Sequence, residues 1–153
     1  MAYAGPTRAL IRAWKERGLR LLSPYAADLV AECVPRPAAD VITYIPPDGD
    51  RSIKRGHQPA RALASALGEI WGLEVACLLT RTRAVARQTG LPRAERRRNM
   101  RAAFVAARAD VPGCVVLVDD VYTTGATVDA AAAALRAAGA REVHVVTFAR
   151  AVR

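Results

Sequence analysis

The sequence predicts an α/β domain with a mostly parallel central sheet flanked by helices. Two observations predict it: short, mainly apolar runs of strand length recur along the chain, and segments with apolar residues at helical spacing alternate with them. Strands of that kind are buried on both faces, which is the situation of a parallel sheet with helices above and below. With 153 residues, the chain is long enough for one core and too short for two. The expected organisation is therefore a single domain over 1–153, with 1–39 as a small helical hood and 40–153 as the α/β core.

The elements follow in order. Leu10, Ile11 and Trp14, then Leu21 and Leu22, fall at helical spacing. Gly18 and Pro24 interrupt the pattern, so two short helices are expected before the spacer at Pro35 and Pro37. A short buried strand is expected over 41–45, ended by Pro46-Pro47 and a loop at Asp48-Gly49-Asp50. From Gln58 a helix begins, with Leu63, Leu67, Ile70 and Trp71 on one face and Gly72 to stop it. A second apolar run covers 75–79, a short strand is expected over 102–105, and Pro112-Gly113 turns the chain into the clearest buried strand, 114–118. An alanine-rich helix over 128–138 ends at Gly139, and 143–148 forms the last strand. No internal repeat is visible.

Composition narrows the classes of function. No apolar run approaches the ~20 residues needed to cross a bilayer, and 1–20 lacks the apolar region of a signal peptide, so a cytoplasmic protein without membrane attachment is expected. Cys33, Cys77 and Cys114 are odd in number, widely spaced and free of any C-x-x-C pair. They build neither a disulfide framework nor a zinc knuckle, and Cys77 and Cys114, lying in apolar runs, are expected to be small buried hydrophobes. The net charge of +9 is local: 81–101 holds eight arginines against one acid, Glu95, and so carries +7 of it. One anion-attracting segment is implied, with nucleic acid as one ligand class it suits.

The chemistry lies in 115–127, Val-Val-Leu-Val-Asp-Asp-Val-Tyr-Thr-Thr-Gly-Ala-Thr. Two acids stand where a buried strand emerges, followed by a hydroxyl-rich turn that opens a helix. Ligands of open α/β sheets bind at the carboxyl ends of the strands, and a helix start favours phosphate. Thr123, Thr124 and Thr127 add hydroxyl donors, Gly125 permits close backbone approach, and Asp119 and Asp120 are acceptors suited to a diol. A phosphate and a diol presented together describe a ribose 5-phosphate. The other common phosphate motifs, G-x-x-x-x-G-K-[ST] and G-x-G-x-x-G, are missing.

This string resembles the phosphoribosyl pyrophosphate (PRPP) signature of type I phosphoribosyltransferases. Its neighbours are similar to those of the competence-protein ComF family: Lys54-Arg55-Gly56-His57-Gln58, Gln88-x-Gly90-Leu91, Arg96-Arg97-Arg98-Asn99 and Phe104. The resemblance implies the type I phosphoribosyltransferase fold, with Asp119 and Asp120 on the ribose hydroxyls and Thr123, Thr124, Gly125, Ala126 and Thr127 around the 5′-phosphate. It implies that the loop near 46–55, through Lys54 and Arg55, faces the pyrophosphate, and that 88–99 is the mobile loop closing over the site. Arg97 and Arg98, with Lys54, are the expected catalytic residues, because arginines in a water-excluded site stabilise the charge that builds on departing pyrophosphate. Segments 48–55 and 87–99 are expected to move in the absence of ligand.

The implied activity is Mg²⁺-dependent transfer of the phosphoribosyl group to a nitrogen acceptor, with Asp119 supporting the ion through water. The other reading is a non-catalytic PRPP-binding regulator or DNA-uptake accessory, with a homodimer left open. Many ComF proteins begin with a zinc-ribbon-like cysteine cluster, which this chain lacks, so zinc is not expected. His57 suits a cap or a phosphate contact, but a lone histidine near a helix start is more often structural, and it is read so; His144 receives no role.

Overall fold

The computed structural model describes residues 1–17, 21–47, 57–82 and 103–151, with side chains 16 and 17 left aside. Lys54, Arg55, Arg97, Arg98 and the expected mobile loops lie outside the described residues. Among the described residues, nine elements run in the order α1 (Gly5–Arg17), α2 (Leu22–Cys33), β1 (Val41–Tyr44), α3 (Pro59–Trp71), β2 (Leu79–Arg81), β3 (Phe104–Ala106), β4 (Cys114–Tyr122), α4 (Ala126–Ala137) and β5 (Glu142–Arg150).

The core is a parallel sheet in the order β1-β4-β5, with Val41 opposite Val115 and Val115 opposite Val143. Alternate residues of each strand feed two separate apolar layers, because successive side chains point to opposite faces. Ile42, Val116, Val118 and Phe148 meet α1, α2 and α3 through Ile11, Trp14, Ala27, Val30, Leu63 and Leu67. Val41, Val115 and Leu117 meet α4 and the β2–β3 ribbon through Ala131, Leu135, Leu79 and Phe104. Burial on both faces explains why β1 and the first half of β4 read as nearly continuous apolar runs, whereas β5, at the end of the strand order, is buried only in part.

Helix α3 starts with Gln58 extended and Pro59 at its first position, and ends on Gly72 at φ 63°. Proline costs nothing where no helical partner exists for its missing N–H, and glycine takes the left-handed stop without a Cβ clash.

Three expectations change. The run 75–79 is not a strand of its own. Val75 makes a single parallel bridge to Ile42, after which Leu78 N donates to Thr43 Oγ1 at 3.2 Å and the chain leaves the sheet to form β2, antiparallel to β3. The strand expected over 114–118 continues to Tyr122, because β5 is equally long and pairs Val121 with Ala149 and Tyr122 with Arg150. Asp119 and Asp120 therefore lie within β4 rather than beyond it. Cys77, expected inside, is exposed, and Cys114 is half-buried. None of the helices among the described residues is long and apolar enough to cross a membrane.

Candidate functional site

The site forms at the carboxyl ends of the parallel strands, where the chain passes from β1 into Pro46-Pro47 and from β4 into the turn before α4. A cleft of about 470 Å³ there is lined by Asp119, Asp120, Thr123 and Thr127 from the β4–α4 segment. Its opposite walls come from Pro46 and Pro47, from His57 and Gln58 at the start of α3, and from Lys15 and Arg81. Two helix starts thus border one concavity, which places the positive ends of two helix dipoles beside it.

The two acids have different surroundings. Asp120 is buried, and its Oδ2 accepts from Lys15 Nζ at 2.7 Å. A carboxylate taken from water needs such a partner, because an unpaired buried charge is costly. Asp119 Oδ1 accepts from the backbone N–H of Asp120 at 2.9 Å. Burial, and next the neighbouring Asp120 carboxylate, push Asp119 up to about 7; the Asp120 N–H and Lys15 oppose the shift without cancelling it. A carboxyl group poised near neutrality in a cleft is a mark of a functional site.

The turn after β4 is shaped by Gly125, which stands at φ +80° as the N-cap of α4. A Cβ added there would lie 2.9 Å from Tyr122 Cζ and closer still to its hydroxyl, so glycine is required by conformation and by space together. Thr124 Oγ1 accepts from Ala126 N at 3.5 Å, and Thr124 is exposed, while Thr123 and Thr127 line the cleft. The structure thus brings together four of the expected residues, Asp119, Asp120, Thr123 and Thr127. Gly125 and Ala126 shape the turn, and Thr124 lies outside the lining.

Sequence reading missed Lys15 and passed over Arg81 as one member of the basic run. Lys15 stands one position after the core anchor Trp14, and its target is more than a hundred residues away, so nothing local marks it. The Arg81 guanidinium lies over the Phe104 ring at 4.7 Å, and its Nη2 donates to Pro46 O at 3.5 Å. Its buried Nε has no hydrogen-bond partner among the described residues. The pairing of Arg81 with Phe104 across β2 and β3 could have been sought from the two short apolar runs.

A parallel sheet with a carboxylate pair and a hydroxyl-lined helix start at its carboxyl edge defines a type I phosphoribosyltransferase fold. Residues 53–152 match the family described as the phosphoribosyl transferase domain, and the chain belongs to that family. Among solved structures it is similar to the glutamine PRPP amidotransferase from B. subtilis complexed with ADP and GMP, at 30% identity and a TM-score of 0.59, covering 84% of this chain and 26% of that one. It is also similar to an allosteric regulatory enzyme of purine biosynthesis, at 28% identity and a TM-score of 0.57, with the same coverage of 84% and 26%. The chain therefore spans about a quarter of the length of these two proteins. No curated protein matches it.

Proposed function

We propose that this chain binds PRPP with Mg²⁺ in the cleft and transfers the phosphoribosyl group to a nitrogen acceptor with release of pyrophosphate. The observation that carries this reading is the meeting of the Asp119 and Asp120 carboxylates with the Thr123 and Thr127 hydroxyls in one cleft at the carboxyl edge of the sheet. The name of the B. subtilis relative, which includes PRPP, supports the same ligand.

In this reading Asp119 and Asp120 accept hydrogen bonds from the ribose hydroxyls. The turn from Thr123 to Thr127 takes the 5′-phosphate on hydroxyls and on the first N–H groups of α4. Lys15 pairs with Asp120 and orients it, and the buried Nε of Arg81 offers a donor to an anionic oxygen. Lys54 and Arg55 complete the pyrophosphate side, and Arg97 and Arg98 close over it. The donor set of carboxylate and hydroxyl oxygens suits Mg²⁺, with Asp119 holding it through water. When bound, Mg²⁺ supplies charge neutralisation at the departing pyrophosphate. The protein's own contribution is positioning and preorganised charge, with no covalent nucleophile required.

Within the family, the sequence around 54–58, 88–99 and 104 supports a place beside the ComF proteins. Calorimetric titration with PRPP and Mg²⁺ tests the site: micromolar binding, about −8 kcal/mol, is expected for the wild type and its loss for the variant carrying Asp119→Asn and Asp120→Asn. Equal binding by both proteins, or by neither, sinks the reading. Binding with no pyrophosphate release across a panel of amine and base acceptors would replace the transferase with a PRPP-sensing regulator.

A further inference from the structure

At the other end of the sheet, three side chains of different chemistry converge. Cys114 opens β4 and pairs in register with Glu142, and His144 follows Glu142 by two residues, so the two β5 side chains share a face beside the thiol. Cys114 Sγ lies 3.6 Å from His144 Nε2 and 3.9 Å from Glu142 Oε2, while His144 Nε2 lies 3.3 Å from Glu142 Oε1. The cluster sits roughly 16 Å along β4 from Asp119, five strand residues away, and outside the PRPP cleft.

These separations resemble the edges of a tetrahedral zinc site. Bond lengths of ~2.3 Å to sulfur, ~2.05 Å to imidazole nitrogen and ~2.1 Å to carboxylate oxygen give tetrahedral edges of about 3.6 Å for S···N, 3.4 Å for N···O and 3.6 Å for S···O. The sulfur–nitrogen edge and the edge from nitrogen to Glu142 Oε1 agree within about 0.1 Å; the 3.9 Å approach to sulfur is made by the other oxygen, Oε2, so the exposed Glu142 carboxylate must turn to set one oxygen against both partners. The three donors are half-buried, exposed and half-buried, so an ion could enter and keep a water in the fourth position.

The thiol is also held in place. The backbone N–H of Cys114 donates to Asp40 Oδ2 at 2.8 Å, and Sγ donates to Ala38 O at 2.9 Å. Metal entry exchanges that S–H bond for a sulfur–metal bond with release of the proton. The Arg141 guanidinium packs against Gly113, the residue before Cys114.

We propose that Cys114, Glu142 and His144 form a Zn²⁺ site that ties the amino-terminal ends of β4 and β5 together. The ion class follows from the donors: thiolate and imidazole select a borderline metal such as Zn²⁺ over Mg²⁺, which asks for oxygen alone.

The test is titration of the metal-stripped, reduced full chain with Co²⁺, followed by Zn²⁺. One Co²⁺ per chain is expected, with a thiolate-to-cobalt charge-transfer band that one equivalent of Zn²⁺ abolishes and millimolar Mg²⁺ leaves intact. Cys114→Ser should remove the band, His144→Ala and Glu142→Gln should each weaken Co²⁺ binding about tenfold or more, and Cys77→Ser should change nothing. His144 and Glu142 lie outside the apolar core, so their variants fold even where Cys114→Ser does not, and the far-ultraviolet spectrum reports that. A missing band in the wild type, a band that survives Cys114→Ser, or unchanged affinity in the His144 and Glu142 variants overturns the proposal. None of these readouts depends on PRPP.

Discussion

Asp119 shows what a site demands of a single residue. Its carboxyl is raised to about 7 by burial and by Asp120, so the folded chain retains a proton that the unfolded chain gives up near pH 4. The sign follows from linkage. The native state binds more protons between those values, so stability from this group falls as pH rises from about 4 to about 7, and the cost is complete above 7. Asp119→Asn removes the cost. Urea unfolding should show the variant more stable than the wild type by on the order of 2 kcal/mol at pH 8 and nearly equal to it at pH 4. A variant less stable at both pH values would mean that the carboxylate is a structural partner rather than a group held at a cost. The residue type and its neighbour were visible in the sequence. The raised proton affinity was not, because it arises from the packing of β4 against elements far away in the chain.

Helix α1 shows how one element couples core to site. Trp14 is 1% exposed, meets Phe148 edge-on at 5.9 Å and donates from Nε1 to Ser23 Oγ at 3.2 Å. The next residue, Lys15, reaches Asp120. Anchoring the helix therefore also places the counter-charge of the cleft. Trp14→Ala should destabilise the protein by about 3–5 kcal/mol in chemical unfolding, and Trp14→Phe by clearly less, since the ring contact is kept and the hydrogen bond lost. A loss under ~1 kcal/mol for the alanine variant would show that α1 does not belong to the cooperative core. The helical spacing of Leu10, Ile11 and Trp14 announced this helix. The length of β4 was misjudged because Asp119 and Asp120 look like the end of a strand, and only pairing with β5 carries the strand through them.

Across the whole molecule, the cleft proposed for PRPP lies at the carboxyl edge of the sheet and the Cys114–Glu142–His144 cluster at the amino edge, with the sheet and its two apolar layers between them. The cleft draws its walls from α1, the β1 exit, α3, β2 and the β4–α4 turn, so filling it should brace the fold as a unit. Saturation with PRPP and Mg²⁺ at a hundred times the dissociation constant should add about 2.7 kcal/mol, seen as a rise in Tm of roughly 5–10 °C in thermal scans. The same ligand should leave the Tm of the doubly substituted Asp119→Asn, Asp120→Asn protein unmoved. A comparable rise in both proteins would place binding elsewhere.

The fold class, the parallel sheet and the candidate string of acids and hydroxyls at 115–127 were legible in the sequence alone, because each rests on local chemistry: apolar runs, helical spacing, and acids next to hydroxyls at a helix start. Only the tertiary structure decided that Lys15 pairs with Asp120, that Arg81 stacks on Phe104 beside the cleft, and that Cys114 meets Glu142 and His144. The physical reason is the same in each case. These contacts join residues distant in the chain, and register and packing, which no local pattern encodes, bring them within reach.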